Sequence, residues 1–244
     1  MSPRVGLFAT AAILLSGQTW AGPPYVTDDP EPTDYQHFEI YAFTGGTGAR
    51  DGTSGTAGID FNYGGAPDLQ LTAVLPLEFD SPLRSGTAVG IGNIELAAKY
   101  RFLHQDDFGW DVAVFPRVFL PSASHLVGDK HGSFLLPIWV GRDFGKWSAF
   151  GGVGCALNNS GGSQNYCLAA WALTREVGPA LHLGAEIYHR TANEEGGRAS
   201  TGVGFGATYD LSQNYHLMAS FGPGIQNADE TNRASWYAAM LFTF

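Results

Sequence analysis

Charge is what this sequence has least of. Asp, Glu, Lys and Arg make up only 15% of its 244 residues, against about 25% in an ordinary soluble domain. Basic residues are the scarcest, 13 against 23 acidic ones, for a formal net charge of −10. That balance repels phosphate, so nucleic acid is excluded as a partner. Long apolar runs are missing as well. Beyond the first segment no stretch reaches the roughly 20 residues that a membrane-spanning helix needs. The longest uncharged stretch, 147–174, is split by the turn cluster Asn158-Asn159-Ser160-Gly161-Gly162-Ser163 and reads as two strands. Cysteine occurs only twice.

Glycine and aromatic residues are abundant. There are 33 Gly, and aromatics reach 13% with 16 Phe and 10 Tyr. Each Gly costs about 1 kcal/mol in a helix interior, which argues against a helical bundle. So many aromatics argue against disorder. An all-β chain with little charge remains.

The first residues read as a targeting segment. Arg4 precedes an apolar run, Val5 to Leu15, followed by small residues up to Thr19-Trp20-Ala21. This is the pattern of a secretory signal peptide over 1–21, with cleavage after Ala21. Residues 22–34 then form a Pro-rich leader: Asp28, Asp29 and Glu31 sit among Pro23, Pro24, Pro30 and Pro32. The residue before a proline is pushed toward extended backbone. Such a segment is either a free periplasmic leader or a small plug inside the body of the fold, and could hold a cation weakly.

From residue 35 onward the dominant signal is alternation with period two. Ala57, Ile59, Phe61 and Tyr63 oppose Thr56, Gly58, Asp60 and Asn62. Leu69, Leu71, Ala73, Leu75, Leu77 and Phe79 oppose Gln70, Thr72 and Glu78. Ile94, Leu96, Ala98, Tyr100 and Phe102 oppose Asn93, Glu95, Lys99 and Arg101, and Val203, Phe205, Ala207 and Tyr209 oppose a row of Gly, Thr and Asp. Weaker alternation marks 35–44, 110–120, 133–142, 147–157, 165–175, 180–190, 215–222 and 234–244. Together these are twelve strands, mostly of the 9–11 residues that a tilted strand needs to cross a bilayer. The connections at 45–55, 80–90, 121–132, 158–164, 191–201 and 223–233 are each longer than their neighbours. Long loops on one rim and short turns on the other describe an outer-membrane barrel with both termini on the periplasmic side. A closed barrel pairs every backbone group between strands, leaving none facing hydrocarbon.

Trp236, Ala238, Met240, Phe242 and Phe244 alternate to the last residue. A terminal Phe on an alternating strand resembles the signal read by the outer-membrane barrel assembly machinery, an expected partner beside outer-membrane lipid. Further stretches carry a family resemblance. They are Gly22-Pro23-Pro24-Tyr25-Val26-Thr27-Asp28-Asp29-Pro30-Glu31-Pro32, the run from Gly92 to Phe102, Phe115-Pro116-Arg117-Val118-Phe119-Leu120-Pro121 and Leu136-Pro137-Ile138-Trp139. They are similar to the outer-membrane family named after the MetA pathway of phenol degradation, with Asn93 where an Asp is expected. The resemblance implies a barrel and the passage of small, hydrophobic or aromatic solutes. It implies no residue-level mechanism.

Several polar groups are candidates for the lumen. A hairpin centred on residue 106 sets Arg101 opposite Asp111 and Glu95 opposite Arg117, with Lys99 between the pairs. Cross-strand ion pairs contribute roughly 0.2–1 kcal/mol each. They serve either as a charged constriction or as a structural filling of the lumen. His182, Glu186 and Tyr188 share a strand face that ends at Arg190. A four-residue separation on a strand is about 13 Å, too far for His182 and Glu186 to chelate one ion, so lumen lining is their role. Cys155 and Cys167 flank 158–164 symmetrically, which suits a hairpin disulfide in an oxidising compartment or simply two small apolar residues. Ser122, Ser124, His125, Asp129 and His131 gather in one loop, and His131-Gly132-Ser133 has the His-x-Ser spacing of outer-membrane phospholipases. Triads are recognised by geometry rather than sequence proximity, and no Gly-x-Ser-x-Gly elbow is present. The expectation is a non-enzymatic outer-membrane barrel without cofactor or metal, passing a small-molecule solute. A lipid hydrolase and an occluded structural or surface-interaction barrel are the alternatives.

Overall fold

The computed structural model describes residues 24–127, 131–158 and 162–244. The signal segment 1–21 and Asp129 lie outside them. The strands are β1 (Phe38–Ala49), β2 (Gly52–Ala66), β3 (Leu69–Pro82), β4 (Ala88–Ile91), β5 (Glu95–Leu103), β6 (Asp111–Val114), β7 (Arg117–Phe119) and β8 (Ser133–Phe144). They continue with β9 (Trp147–Asn158), β10 (Tyr166–Gly178), β11 (Leu181–Arg190), β12 (Ser200–Asp210), β13 (Tyr215–Gly222), β14 (Gly224–Gln226) and β15 (Ala234–Thr243). A four-residue helix α1 (Gln105–Phe108) links β5 to β6.

These pieces make a closed, antiparallel, 12-strand barrel. Three of its staves are broken. β4 and β5 are one stave interrupted at Gly92-Asn93-Ile94, β6 and β7 another interrupted at Phe115-Pro116, and β13 and β14 a third interrupted at Pro223. A proline cannot donate to the ladder, which accounts for two of the breaks. Closure comes from β1 pairing with β15, so that Ile40 faces Phe242 and Phe43 faces Ala239. Phe38 and Phe244 exchange backbone hydrogen bonds at 2.8 and 3.1 Å, which places the start of the first strand and the end of the last on one rim.

The alternation sorts side chains as a lipid-facing wall requires. Leu71, Leu75, Leu77, Leu96, Tyr100, Ile138, Trp171, Ile187 and Phe205 stand exposed on the outside. Glu39, Asn62, Gln70, Thr72, Glu95, Lys99 and Glu186 are buried inside. Two apolar clusters also fill the interior: Phe115, Trp139, Ala170 and Tyr188, and Tyr41, Met218, Ala239 and Leu241.

Two expectations are corrected. The connection at 45–55 is no long loop: β1 and β2 stay paired up to Ala49 and Gly52, leaving only Arg50-Asp51 as the turn. Glycine and small hydroxyl residues dominate this stretch, and Gly52 turns the chain at a φ of 156°. The third connection, 83–87, is shorter than the fourth, 104–110, because β4 extends the fourth stave and α1 lengthens its turn. The long-loop pattern holds at 120–132, 159–165, 191–199 and 227–233.

Candidate solute pathway and its internal strap

The leader runs inside the barrel. Tyr35 bridges to Gly64, and the amide of Gln36 donates to Gly64 O at 2.8 Å. A Cβ at position 64 would overlap Asp34 O, so the chain turns inward over a residue that must be glycine. Thr33 then donates to Gln70 Oε1 from its amide at 2.8 Å and its hydroxyl at 3.2 Å. Gln70 is itself held, donating to Asn62 Oδ1 at 2.7 Å and Thr72 Oγ1 at 3.0 Å. Next, Lys99 Nζ meets Asp28 at 3.0 Å and Asp29 at 3.6 Å and donates to Glu31 O at 3.2 Å. Pro30 packs where a side chain on Gly141 would sit. Finally Glu186 accepts from Val26 N at 3.1 Å, Thr27 N at 3.0 Å and Thr27 Oγ1 at 2.8 Å. Tyr25 lies over Gly184 and Gly206. Gln70 on β3 and Glu186 on β11 belong to diametrically opposed staves of the ring. The segment is therefore a strap across the whole lumen.

The strap divides the interior. On the rim where the first strand begins and the last one ends lies a cavity of about 240 Å³, lined by Glu31, Asp111, Arg142, Lys146, His182 and His216 among others. Beyond the strap lie two larger cavities. One, of about 510 Å³, is lined by Glu39, Asp60, Glu95, Lys99, Phe115 and Arg117. The other, of about 700 Å³, is walled by Gly45, Gly46, Gly55, Gly204 and Gly222 and carries Arg190. Phe43, Thr56, Glu78 and Tyr237 line both, so the two are contiguous.

The charged hairpin adopts another register than a centre at 106 implies. Arg101 is opposite Ala113, Ala97 is opposite Arg117 and Glu95 is opposite Phe119. A bulge between Arg101 and Leu103, followed by α1 with Gly109 in the left-handed region, shifts the pairing by two residues. A shift of two keeps every side chain on its own face. Arg117 therefore still reaches Glu95 diagonally, with Nε and Nη2 donating at 2.6 and 2.8 Å. Arg101 lies 3.6 Å from Asp111, but its closer partner is Asp68 at 3.0 Å. Lys99 sits between the two pairs and joins neither; its acids come from the strap. The Arg117 guanidinium also lies 5.4 Å from the Phe115 ring centre and 5.8 Å from that of Phe119.

On β11, His182 faces the smaller cavity and Glu186 grips the strap. Tyr188 Oη accepts from Asn232 Nδ2 at 2.8 Å. Burial raises the Tyr25 hydroxyl well above its ordinary pKa, with the Glu186 charge adding to the effect. Burial and then Asp29, Asp143 and Asp111 raise Glu31 from 4.5 to about 8, against a lowering by Arg101. Cys155 and Cys167 are cross-strand partners on the outer face of the β9–β10 hairpin, joined sulfur to sulfur at 2.01 Å. Ser122 Oγ accepts from Ile94 N at 2.8 Å and donates to Gly92 O at 3.1 Å, so it ties the loop to the stave break. Ser133 lines the 510 Å³ cavity rather than the outer wall.

The strap contacts were the part not legible in the sequence. A signal was present: on its lumen face Lys99 is the base left over once Arg101 is set against Asp111 and Arg117 against Glu95, and Asp28 and Asp29 are acids with no strand of their own.

The family described as "Putative MetA-pathway of phenol degradation" matches residues 21–241. The chain belongs to this family. No curated protein matches the sequence. Among solved structures, the fold is similar to an outer membrane channel from Pseudomonas putida F1, with a TM-score of 0.74 at 13% identity over 88% of this chain and 98% of that one. It is also similar to the beta domain of the Bordetella autotransporter BrkA, with a TM-score of 0.56 at 13% identity over 86% and 99%. The KdgM porin, in complex with oligogalacturonate, gives a TM-score of 0.54 at 9% identity over 85% and 98%. These likenesses establish that the family's fold in this chain is an outer-membrane type barrel.

Proposed function

We propose that this chain, after loss of residues 1–21, sits in the bacterial outer membrane and lets small hydrophobic or aromatic molecules pass unchanged. The observation that carries this is the state of the lumen. Cavities of about 510 and 700 Å³ lie on one side of the strap and about 240 Å³ on the other. A segment of the chain lies between them, with the wall clusters around Trp139 and Leu241 filling the space beside it. Its anchors are polar and spaced: Gln70, Lys99 and Glu186. A barrel of 12 strands falls between filled eight-stranded barrels and the open channels of about sixteen. Membership of a family described by phenol degradation supports an aromatic solute, and the resemblance to a channel and a porin supports passage. Phe244, closing the last strand, is the proposed recognition element for the assembly machinery.

The depth at which the strap is buried favours one competing reading, a barrel permanently occluded for structural use. Reconstitution into planar bilayers and liposomes separates the two. The channel reading expects small discrete conductances and uptake of small aromatic solutes. A chain that neither conducts nor admits solute, even with the strap loosened by Glu186→Ala, is a structural barrel.

A further inference from the structure

We propose that the outer wall over β8, β9 and β10 holds an anionic phospholipid of the periplasmic leaflet by its phosphate. The inference rests on the outer-membrane placement proposed above and not on passage through the lumen.

The rim where the first strand begins and the last one ends carries short turns, such as Gly145-Lys146 between β8 and β9. In barrels of this type that rim faces the periplasm. Outward aromatic residues ring it. Phe38 stacks on Tyr63 at 4.7 Å, and Tyr215 meets Phe242 edge-on at 5.6 Å. Trp110 and Trp147 are exposed at the same level. Such a girdle marks the depth of the lipid headgroups. The arginines and lysines of this rim are Arg101, Arg142, Lys146 and Arg175. Arg101 turns toward Asp68 and Asp111, and Lys146 is held by Glu176 at 2.9 Å. Arg142 and Arg175 remain.

Both stand on the lipid face. On β8, Arg142 follows the exposed Leu136 and Ile138 in steps of two, and on β10, Arg175 follows the exposed Trp171 and Leu173 in the same way. Gly141, Asp143 and Thr174, which alternate with them, line the cavity of about 240 Å³, and Arg142 borders its mouth at the end of the stave. The Arg142 guanidinium lies 5.9 Å from the Trp110 ring centre, and that of Arg175 lies 4.9 Å from Trp147. A ring face holds a guanidinium through its charge and leaves the N–H fork to other partners. Among the described residues no carboxylate lies within ion-pair distance of either arginine.

Arg142 is opposite Ala149 of β9, and Arg175 is opposite Trp147 on the other edge of that strand. Two strand spacings across and two residues along put their Cα atoms about 12 Å apart. A headgroup lying over Trp147 is within reach of both. The planar fork of a guanidinium matches phosphate oxygens in pairs, as an ammonium does not. Two uncompensated positive charges suit a phosphodiester that brings no cation of its own, rather than a zwitterionic headgroup. The chain as a whole carries −10, so its overall field repels anionic lipid and any preference for it arises locally.

The test measures lipid retained by the full mature chain. The folded barrel in detergent is mixed with equal amounts of phosphatidylglycerol and phosphatidylcholine of matched acyl chains, and bound lipid is read by native mass spectrometry. The expected result is phosphatidylglycerol retained at least about tenfold over phosphatidylcholine. The paired change Arg142→Gln with Arg175→Gln is expected to bring the ratio toward one, whereas Arg84→Gln, at the opposite rim, keeps the wild-type ratio. Heat-dependent gel mobility shows that each variant is folded. Equal retention of the two lipids overturns the inference and leaves the channel reading intact. So do an unchanged ratio in the folded double variant and displacement of phosphatidylglycerol by an equal amount of lipid A. A chain that inserts into liposomes of neither phospholipid overturns the outer-membrane placement, and the inference with it.

Discussion

The Glu186 anchor has a magnitude that can be worked out and measured. Its carboxylate accepts three hydrogen bonds from the strap, two of them from Thr27, which is fully buried. Removing an acceptor leaves each buried donor unsatisfied at about 1–3 kcal/mol. Glu186→Ala therefore destabilises the docked strap by about 3–5 kcal/mol. The wall loses little, because Gly204 and Gly206 across β12 leave room beside the site. Each 1.4 kcal/mol is a factor of ten, so the ratio of docked to released strap falls by about two to three and a half orders of magnitude. Gln70 and Lys99 still hold the rest of the segment, so release is confined to residues 24–27. The cavities on either side then join. Single-channel recording of Glu186→Ala is expected to show a larger main conductance or a higher open fraction than the wild type. Glu186→Gln retains one acceptor oxygen and falls between them. A folded Glu186→Ala barrel with wild-type conductance and open fraction would refute the reasoning, because the strap would then be held by something other than these bonds.

Gly206→Val places a side chain where Tyr25 lies, 2.5 Å from its Cε1; it should expel the tip of the strap without unfolding the barrel, seen as faster protease cleavage near Tyr25. Glu31 has a carboxyl pKa raised from 4.5 to about 8 when docked. The docked strap then binds more protons than the released one between these values, so docking weakens as pH rises. Open fraction should climb from pH 5 to pH 8, and Glu31→Gln should flatten that slope. The Cys155–Cys167 bond closes a short hairpin, with a sequence separation of 12, which the chain-entropy account values at about 3 kcal/mol. Reductant should lower the urea midpoint of unfolding while conductance stays at its wild-type value, and mass spectrometry should find two more hydrogens after reduction.

The parts of this molecule that alternate are legible in the sequence because a pleated wall between lipid and lumen imposes a period of two on every stave. The inward face of Gln70 and Thr72, and the outward one of Leu69, Leu71 and Ala73, follow from alternation alone. The register is not legible to the same degree. A hairpin centred on residue 106 makes Arg101 and Asp111 direct partners, whereas a bulge beside Leu103 sets them two residues apart. Faces survive such a shift and contacts become diagonal. This is why Arg117 and Glu95 meet although they are not paired across the ladder. The first hairpin departs from expectation for a different reason. Gly45, Gly46 and Gly48 carry no side chain to reveal a face, and a glycine-rich strand has the composition of a loop.

The strap shows where period-based reasoning ends. Its residues carry no alternation, since nothing around them is a repeating wall. Its place is set by single partners far along the chain: Thr33 with Gln70, Asp28 with Lys99, Thr27 with Glu186. Such contacts leave a trace in the accounting of charge rather than in periodicity. A lumen-facing lysine at 2% exposure must have acids beside it. The neighbouring strand positions supply none to spare, because Glu95 belongs to Arg117, and Asp111 lies beside Arg101. The ion-pair partners of Lys99 come from outside the wall, for Asp28 and Asp29 precede the first strand.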